Sequence, residues 1–315
     1  MKNLHQGAKE KRTDILRKDT MPTLIKDFGK LFKIAVKKWY DKDPFRQSAV
    51  IAYYAIFSIP GLLFLIITIT GNIFGKDTVT ENLLAQVSGT MGDETGTQIA
   101  AMLANVGQPK VTFFGSLIGI IILLAGATGV FVELQKSLNI IWEVKVIPKK
   151  GFLRFLKERL FSFGLILAIA FLLLISLVIS TALAAMSEWI KADTSGITVT
   201  IFNIFNFIFS LAIISLLFAL IFKILPDAKI KWKHVWLGSA ITGLLFTIGK
   251  TALAIYFGKA NPTTSYGAAG SIVLIMLWVS YSSMIVFYGA EFTRAYADMF
   301  SGKIPPTDIA RAETP

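Results

Sequence analysis

"YGAAGSIVLIMLWVSYSSMIVFYGAEF", residues 266–292, decides the fold. Its middle is a long apolar run, and such runs of about 18 or more uncharged residues read as membrane-spanning helices. On a helix each residue turns by about 100°, so Ser271, Trp278, Ser282 and Gly289 align within about 20° of one another. In lipid, small residues let helix backbones approach closely, where dispersion and hydrogen bonds hold them together. This stripe is read as a helix–helix contact, with Trp278 filling a gap. Glu291 ends the stretch on a different side, in line with Val273, Ser280 and Phe287. Counted from the outer end it lies about 33 Å down. A carboxylate there either reaches water at the inner interface or faces a cavity, since acids within spans rarely face lipid.

The same reading marks five more spans. Together they run roughly over Ser48–Phe74, Val111–Val132, Leu160–Met186, Ile197–Leu225, Val235–Gly258 and Ala268–Tyr296, each long enough for a hydrocarbon core of about 30 Å. Of the 315 residues, 54% are hydrophobic and 17% charged, and the mean hydropathy is +0.63. A soluble domain of this size carries more polar surface. The expected fold class is therefore all-α: a polytopic membrane protein with six transmembrane helices over residues 48–297.

Lysine and arginine set the orientation. Thirteen precede Ser48, two lie between 75 and 110, and seven between 133 and 159. The remaining segments hold one, four, one and three when the span-end Lys223 and Arg294 are counted with their neighbouring loops. The rich and poor segments alternate. The positive-inside rule places both termini and the 133–159 and 226–234 loops in the cytoplasm. The net charge of +12 then lies mainly on one face, where the anionic inner leaflet is the expected partner. Nothing in the chain resembles a nucleic-acid-binding fold, so nucleic acid is not expected as a partner.

Residues 1–18 read as a disordered basic tail. Residues 19–43 read as an amphipathic helix at the cytoplasmic membrane surface: Leu24, Phe28, Leu31, Phe32, Ala35 and Trp39 follow 3–4 spacing, with lysines elsewhere. A helix packed beneath the bundle fits the same pattern. Pro22 suits a first turn. Residues 75–110 read as an extracytoplasmic insertion of two short amphipathic helices around a Gly-rich break, and 301–315 as a flexible tail.

Three stretches also carry a resemblance: "YGAAGS…LW…Y…GAEF", "AYYAIFSIPGLL" in the first span, and "LPDAKIKWKHVWLGSAITGLLFTIGK" across the fourth loop. In this order they resemble the YihY family of bacterial inner-membrane proteins, which includes the virulence factor BrkB, over about residues 30–300. The resemblance implies a six-helix protein of the bacterial inner membrane. Some members are proposed transporters, and some carry an old ribonuclease label. It implies no catalytic residue or substrate site.

Polar residues within the spans are the functional candidates. Lys250 lies about 12 Å from the outer end of the fifth span, on a side shared with Ser239, Gly243, Thr247 and Ala254. It either lines a cavity or snorkels to the headgroups. Asn203 and Asn206 reach nearly the same depth. Glu133 and Glu291 lie about 20 Å lower, with Gln135 nearby. Two polar tiers with an apolar middle suit alternating exposure of a cavity, and suit ordinary structural contacts equally. Pro60 removes a helical hydrogen bond, so the first span is expected to kink, with Ser58 or a neighbouring helix satisfying the freed carbonyl of Ile56 and Tyr53 and Tyr54 lying below.

There are no cysteines, which excludes disulfides, Cys metal sites and thiol nucleophiles. His5 and His234 stand apart, with no HExxH or GxSxG. No metal, cofactor or catalytic residue is expected, and ribonuclease activity is disfavoured. The expected function is a transporter or exporter working by alternating access on an amphiphilic or anionic small molecule or lipid. The alternative is a non-transporting membrane scaffold or envelope-integrity protein, with the stripes serving packing or a homo-oligomer.

Overall fold

The computed structural model describes residues 20–91, 93–106, 113–147, 196–260, 270–302, 304–307 and 310–312. Helix α1 is Thr20–Asp41, α2 Pro44–Phe74, α3 Lys76–Met91, α4 Asp93–Val106, α5 Phe113–Ile141, α6 Gly196–Ile224, α7 Trp232–Ala260 and α8 Gly270–Ser301. Strands β1 (Val144–Val146) and β2 (Ala310–Ala312) pair antiparallel, Lys145 opposite Arg311. Among the described residues, three helical segments, Ile204–Ile224, Trp232–Phe257 and Ile272–Phe300, are long and apolar enough to cross a membrane. Helices α2 and α5 stand where the first two spans are expected. The expected third span and the basic tail 1–18 lie outside the described residues.

Local chemistry sets the element ends. Asp43 takes the left-handed conformation (φ 51°), and Pro44 opens α2 behind it. Proline suits that place because its missing N–H has no helical partner there. Gly75 (φ 88°) closes α2 by donating its N–H to the Gly71 carbonyl at 3.0 Å. Pro226 cannot continue α6, and Gly302 (φ 75°) follows α8 in the left-handed form glycine adopts without strain.

Helix α8 is central. It packs against α1, α2, α4, α5 and α7, while α2 lies along α5 and α6 along α7. The largest core joins the end of α5, the end of α6, the start of α7 and the second half of α8, through Leu138, Ile141, Phe222, Ile230, Val235, Phe287 and Ala290. A second cluster sets Leu31 and Ala35 of α1 against Tyr288, Phe292 and Ala295. A smaller one, around Ile99 and Ile275, holds α4 to α8. Much of α6 and α7 presents large apolar side chains outward, among them Ile204, Phe205, Ile208, Leu244, Ile248 and Ile255. That is the face a lipid-embedded helix needs.

Helices α7 and α8 approach closely. A Cβ at Gly289 would collide with Thr242, and one at Gly238 with Thr293. Each threonine hydroxyl bonds back along its own helix, Thr242 to the Gly238 carbonyl at 2.6 Å and Thr293 to the Gly289 carbonyl at 2.7 Å. Two antiparallel Gly-x-x-x-Thr pairs thus interlock, each threonine seated on the other helix's glycine. The contact satisfies its own polar groups, as lipid demands.

Three expectations change. The described fold is helical but carries the β1–β2 ribbon. The described residues of the tail after Gly302 are tied down: β2 pairs with β1, the Thr307 N–H and hydroxyl both donate to the Asp227 carbonyl, and Lys229 N–H donates to the Pro305 carbonyl. These bonds satisfy backbone groups of the 226–234 loop that no helix serves. Finally, the Ser58 hydroxyl donates to the Ala55 carbonyl at 3.2 Å, so Ser58 is not the group that serves the Ile56 carbonyl, within a helix that continues past Pro60 from Pro44 to Phe74.

Candidate functional site

The last turns of α8 place Glu291, Arg294 and Asp298 one turn apart, so they share a face. Lys42 reaches this face from the turn between α1 and α2, and Glu143 from the turn that follows α5. Lys42 Nζ stands 2.6 Å from Glu291, whose side chain is 0% exposed. Arg294 lies 2.5 Å from Glu143 and 3.5 Å from Asp298, and Lys38 of α1 lies 3.7 Å from Asp298. Three cations and three acids therefore balance.

Two of the cations also share one carbonyl. Lys42 Nζ and Arg294 Nη1 donate to the Ile141 carbonyl at 3.0 and 2.6 Å. Ile141 is the last residue of α5, where carbonyls lack helical partners and the helix dipole is negative. The cluster caps α5 while holding α1, α2 and α8 to it. Asp43 and Glu143, the two non-glycine residues with positive φ among the described residues, flank it on both sides. Backbone held that way costs on the order of 1–3 kcal/mol and persists where surroundings over-determine it.

Burial pushes the Lys42 ammonium below its ordinary value of 10.5, against the opposing pull of Glu291. The Arg294 hydrogen bond holds Glu143 below the ordinary carboxylate value of 4.5. Neither Glu291 oxygen has a donor aligned for a hydrogen bond among the described residues. The ion contact with Lys42 is thus its close support. A narrow crevice lined by Trp39, Lys42, Pro44, Gln47, Ile141, Phe287 and Glu291 opens beside it and is too tight for a small-molecule ligand. The Gln47 amide donates to the Lys42 carbonyl, and the Trp39 indole to the Met284 carbonyl at 3.1 Å.

A second polar knot lies at the same end. Asn139 exchanges two hydrogen bonds with Asp227, Nδ2 to Oδ2 and Oδ1 from the backbone N–H, both 2.8 Å, and Gln135 adds a third at 3.2 Å. It ties the α6–α7 turn to α5. No group of three or more His, Cys, Asp or Glu among the described residues is arranged to hold a metal.

The residues expected to act scatter among these features. Glu291 neither reaches water nor faces an open cavity, because Lys42 covers it. Glu133 stays apart from Glu291 and pairs with Lys136 on its own helix at 3.4 Å. Tyr54 lies against Gly129 of α5, and Tyr53, 55% exposed, turns outward against Phe57. Trp278 meets Phe246 of α7 edge-on at 6.0 Å, Gly289 makes the crossing with Thr242, and Ser282 is half-buried. Lys250 and Asn206 are half-buried, with no hydrogen bond or ion pair between them among the described residues. The side chains of Asn203, Pro60 and Ser271 are outside the described set. Lys42, Arg294, Glu143 and Asp227 were not singled out from sequence. The signal for Arg294 is "EFTR": an acid and a base one turn apart in an apolar helix need partners from elsewhere.

The profile of the virulence factor BrkB family matches residues 35–312. The chain belongs to the virulence factor BrkB family. Within this BrkB-type chain the match takes in Lys42, Glu143, Glu291, Arg294 and both strands of the ribbon. A UPF0761 membrane protein of Saccharophagus degradans is 26% identical over 273 residues, covering 86% of this chain and 59% of its own length. One from Verminephrobacter eiseniae is 24% identical, covering 71% and 48%. One from Pseudoalteromonas atlantica is 27% identical, covering 79% and 80%. The chain thus spans about half to three-fifths of the first two relatives. All three are named as membrane proteins, and the names state no activity. No solved structure matches this BrkB-type chain.

Proposed function

We propose that this BrkB-family membrane protein is a transporter, not an enzyme, that moves an amphiphilic or anionic small molecule or lipid by alternating access. One observation carries the reading: the charge-balanced cluster of Lys42, Glu291, Arg294 and Glu143 that draws α1, α2, α5 and α8 together at one end of the bundle. Ionisable groups inside membrane helix bundles are costly and mark functional sites. A closed end held by separable ion pairs is what alternating access needs of one of its two states. Toward the opposite end, Lys250 on α7 supplies a cation for an anionic group.

In this reading six helices cross the bacterial inner membrane, with both termini and the ion cluster on the cytoplasmic side. Helix α1 lies at that surface. Leu31 and Ala35 are buried on the bundle, while Phe28, Phe32 and Tyr40 stay exposed beside Lys30, Lys33 and Lys37. Apolar side chains next to lysines suit an anionic leaflet.

Flux of a metabolite and lipid panel into liposomes carrying the purified protein tests transport, and absence of flux for every compound favours the scaffold reading. The narrowness of the crevice is what supports that second reading. Cysteines placed at Thr97 and Ala312, both exposed, test the topology. Thr97→Cys should label in intact cells and Ala312→Cys only after permeabilisation; the reverse pattern refutes cytoplasmic termini, and equal labelling of the two refutes six spans.

A further inference from the structure

We propose that Glu291 is a proton-binding site, and that taking up a proton there breaks its pair with Lys42 and opens the end of the bundle which that pair closes. The proton is the coupling ion that the sequence leaves unnamed. As the coupling step of transport the site rests on the reading above; as a switch it is testable without any substrate.

The cluster is built so that one pair separates while the rest holds. Arg294 is committed three ways, to Glu143, to Asp298 and to the Ile141 carbonyl. Lys38 is committed to Asp298. Glu291 has Lys42 alone within ion-pair distance among the described residues. The cations acting on Glu291 are Lys42, Arg294 and Lys38. The two other acids of the cluster face Arg294, and on α7 His234 faces Tyr296.

The balance is simple. A proton joins the Glu291 carboxylate, no bond other than this O–H forms, and the Lys42 ammonium keeps its protons. The six groups pass from neutral to one excess positive charge. That charge sits on Lys42, whose side chain is 18% exposed and lies at the edge of the cluster. A buried charge without a partner is strongly disfavoured, and lysine's flexible stem lets it turn to water. Lys42 sits one residue before Asp43, whose left-handed backbone starts α2. Withdrawal of Lys42 also frees its bond to the Ile141 carbonyl and shifts the backbone carbonyl that Gln47 holds. Both changes widen the crevice between α1, α2 and α8.

The absence of cysteine gives a direct assay on the full chain in liposomes. Gln47 lines the crevice and is 3% exposed; Arg46 beside it is exposed. Alkylation of Gln47→Cys by an impermeant maleimide is measured against Arg46→Cys, because the reaction itself follows the thiolate fraction. The ratio should rise about tenfold from mildly alkaline to mildly acidic pH, the range open to a minor state populated at about 1–10%. With Glu291→Gln the ratio should be high and independent of pH. With Lys42→Met and Glu291→Met together the crevice should stay closed at every pH, since an apolar pair keeps the contact without the charges and tends to stay folded. A ratio flat with pH in the parent, or a pH response surviving in the double variant, overturns the proposal. Flux with a flat ratio overturns it while leaving transport standing; a pH-dependent ratio without flux supports the switch and overturns transport.

Discussion

Gly289→Ala adds one methyl group at the interlocked α7–α8 crossing. Its Cβ would stand 2.8 Å from Thr242 Cβ and 2.9 Å from Thr242 Cγ2. Carbon atoms in contact prefer about 3.5–4.0 Å, so α7 and α8 must separate by about 1 Å. Overpacking of this kind costs about 1–3 kcal/mol. Thr242 has no easy escape, because its hydroxyl is bound to the Gly238 carbonyl, a bond worth about 0.5–1.5 kcal/mol. The sum is about 2–4 kcal/mol, which corresponds to a Tm lower by roughly 3–6 °C for a chain of this size, at about 2 cal/mol/K of unfolding entropy per residue. Thermal melting of the detergent-solubilised chain, read by size exclusion, measures it. Leu277→Ala, at a 43% exposed position on the same helix, is the control. Thr242→Gly in the Gly289→Ala background removes the colliding atoms and should restore much of the loss, a coupling visible in a double-mutant cycle. If Gly289→Ala melts within about 1 °C of the parent, as a surface substitution would, the interlocked crossing is wrong. Additive effects of the two changes would refute it equally.

Other outcomes follow from the ion cluster and from α7. Lys42→Met alone strands the buried Glu291 carboxylate and should cost about 3–5 kcal/mol in the same melt, whereas the Met/Met pair at 42 and 291 should cost far less. Glu143 is depressed by Arg294, so its contribution is complete above the ordinary value of 4.5 and is lost as pH falls through its lower folded value. Glu143→Gln should therefore lower the Tm at neutral pH and flatten the acid side of the Tm–pH curve, with a modest effect because half the side chain is in water. An unchanged acid limb would refute the pairing. Lys250→Met should leave the Tm unchanged, since among the described residues Lys250 has no ion pair. It should reduce flux of an anionic substrate, and undiminished flux would assign the lysine to snorkelling.

The long apolar blocks announced themselves because hydrophobicity over twenty residues is a local property. The helices found at α2, α5, α6, α7 and α8 coincide with five expected spans for that reason. That the helical repeat puts Gly289 on a stripe of small residues was equally readable. Its partner was not: Thr242 is distant in sequence, and only the fold shows that each threonine meets the other helix's glycine. Glu291 illustrates the same boundary. The residue stood out as an acid in an apolar helix, but Lys42 reads as one more lysine in a basic segment until the turn at Asp43 aims it inward. Lys250 stood out by the same rule, yet no described residue pairs with it. The ribbon was invisible because three-residue strands carry no periodicity, and "ARA" resembles any exposed tail.

The ribbon sets an order of events during synthesis. Val144–Val146 leaves the ribosome long before Ala310–Ala312, and at about 5–20 residues per second the gap is roughly ten to thirty seconds. For that time the first strand has an open edge, the kind of surface that recruits foreign strands. Its sequence is defended: Lys145 sits at the centre, and Pro148, Lys149 and Lys150 follow at once, charges and an imino acid that discourage pairing. The later strand then closes the edge after all the helices described here have been made. Its arrival locks the 226–234 turn, through Thr307 and Asp227, to the end of α5. Chains cut short before residue 310 would keep that edge open, and with it the liability to pair with foreign strands.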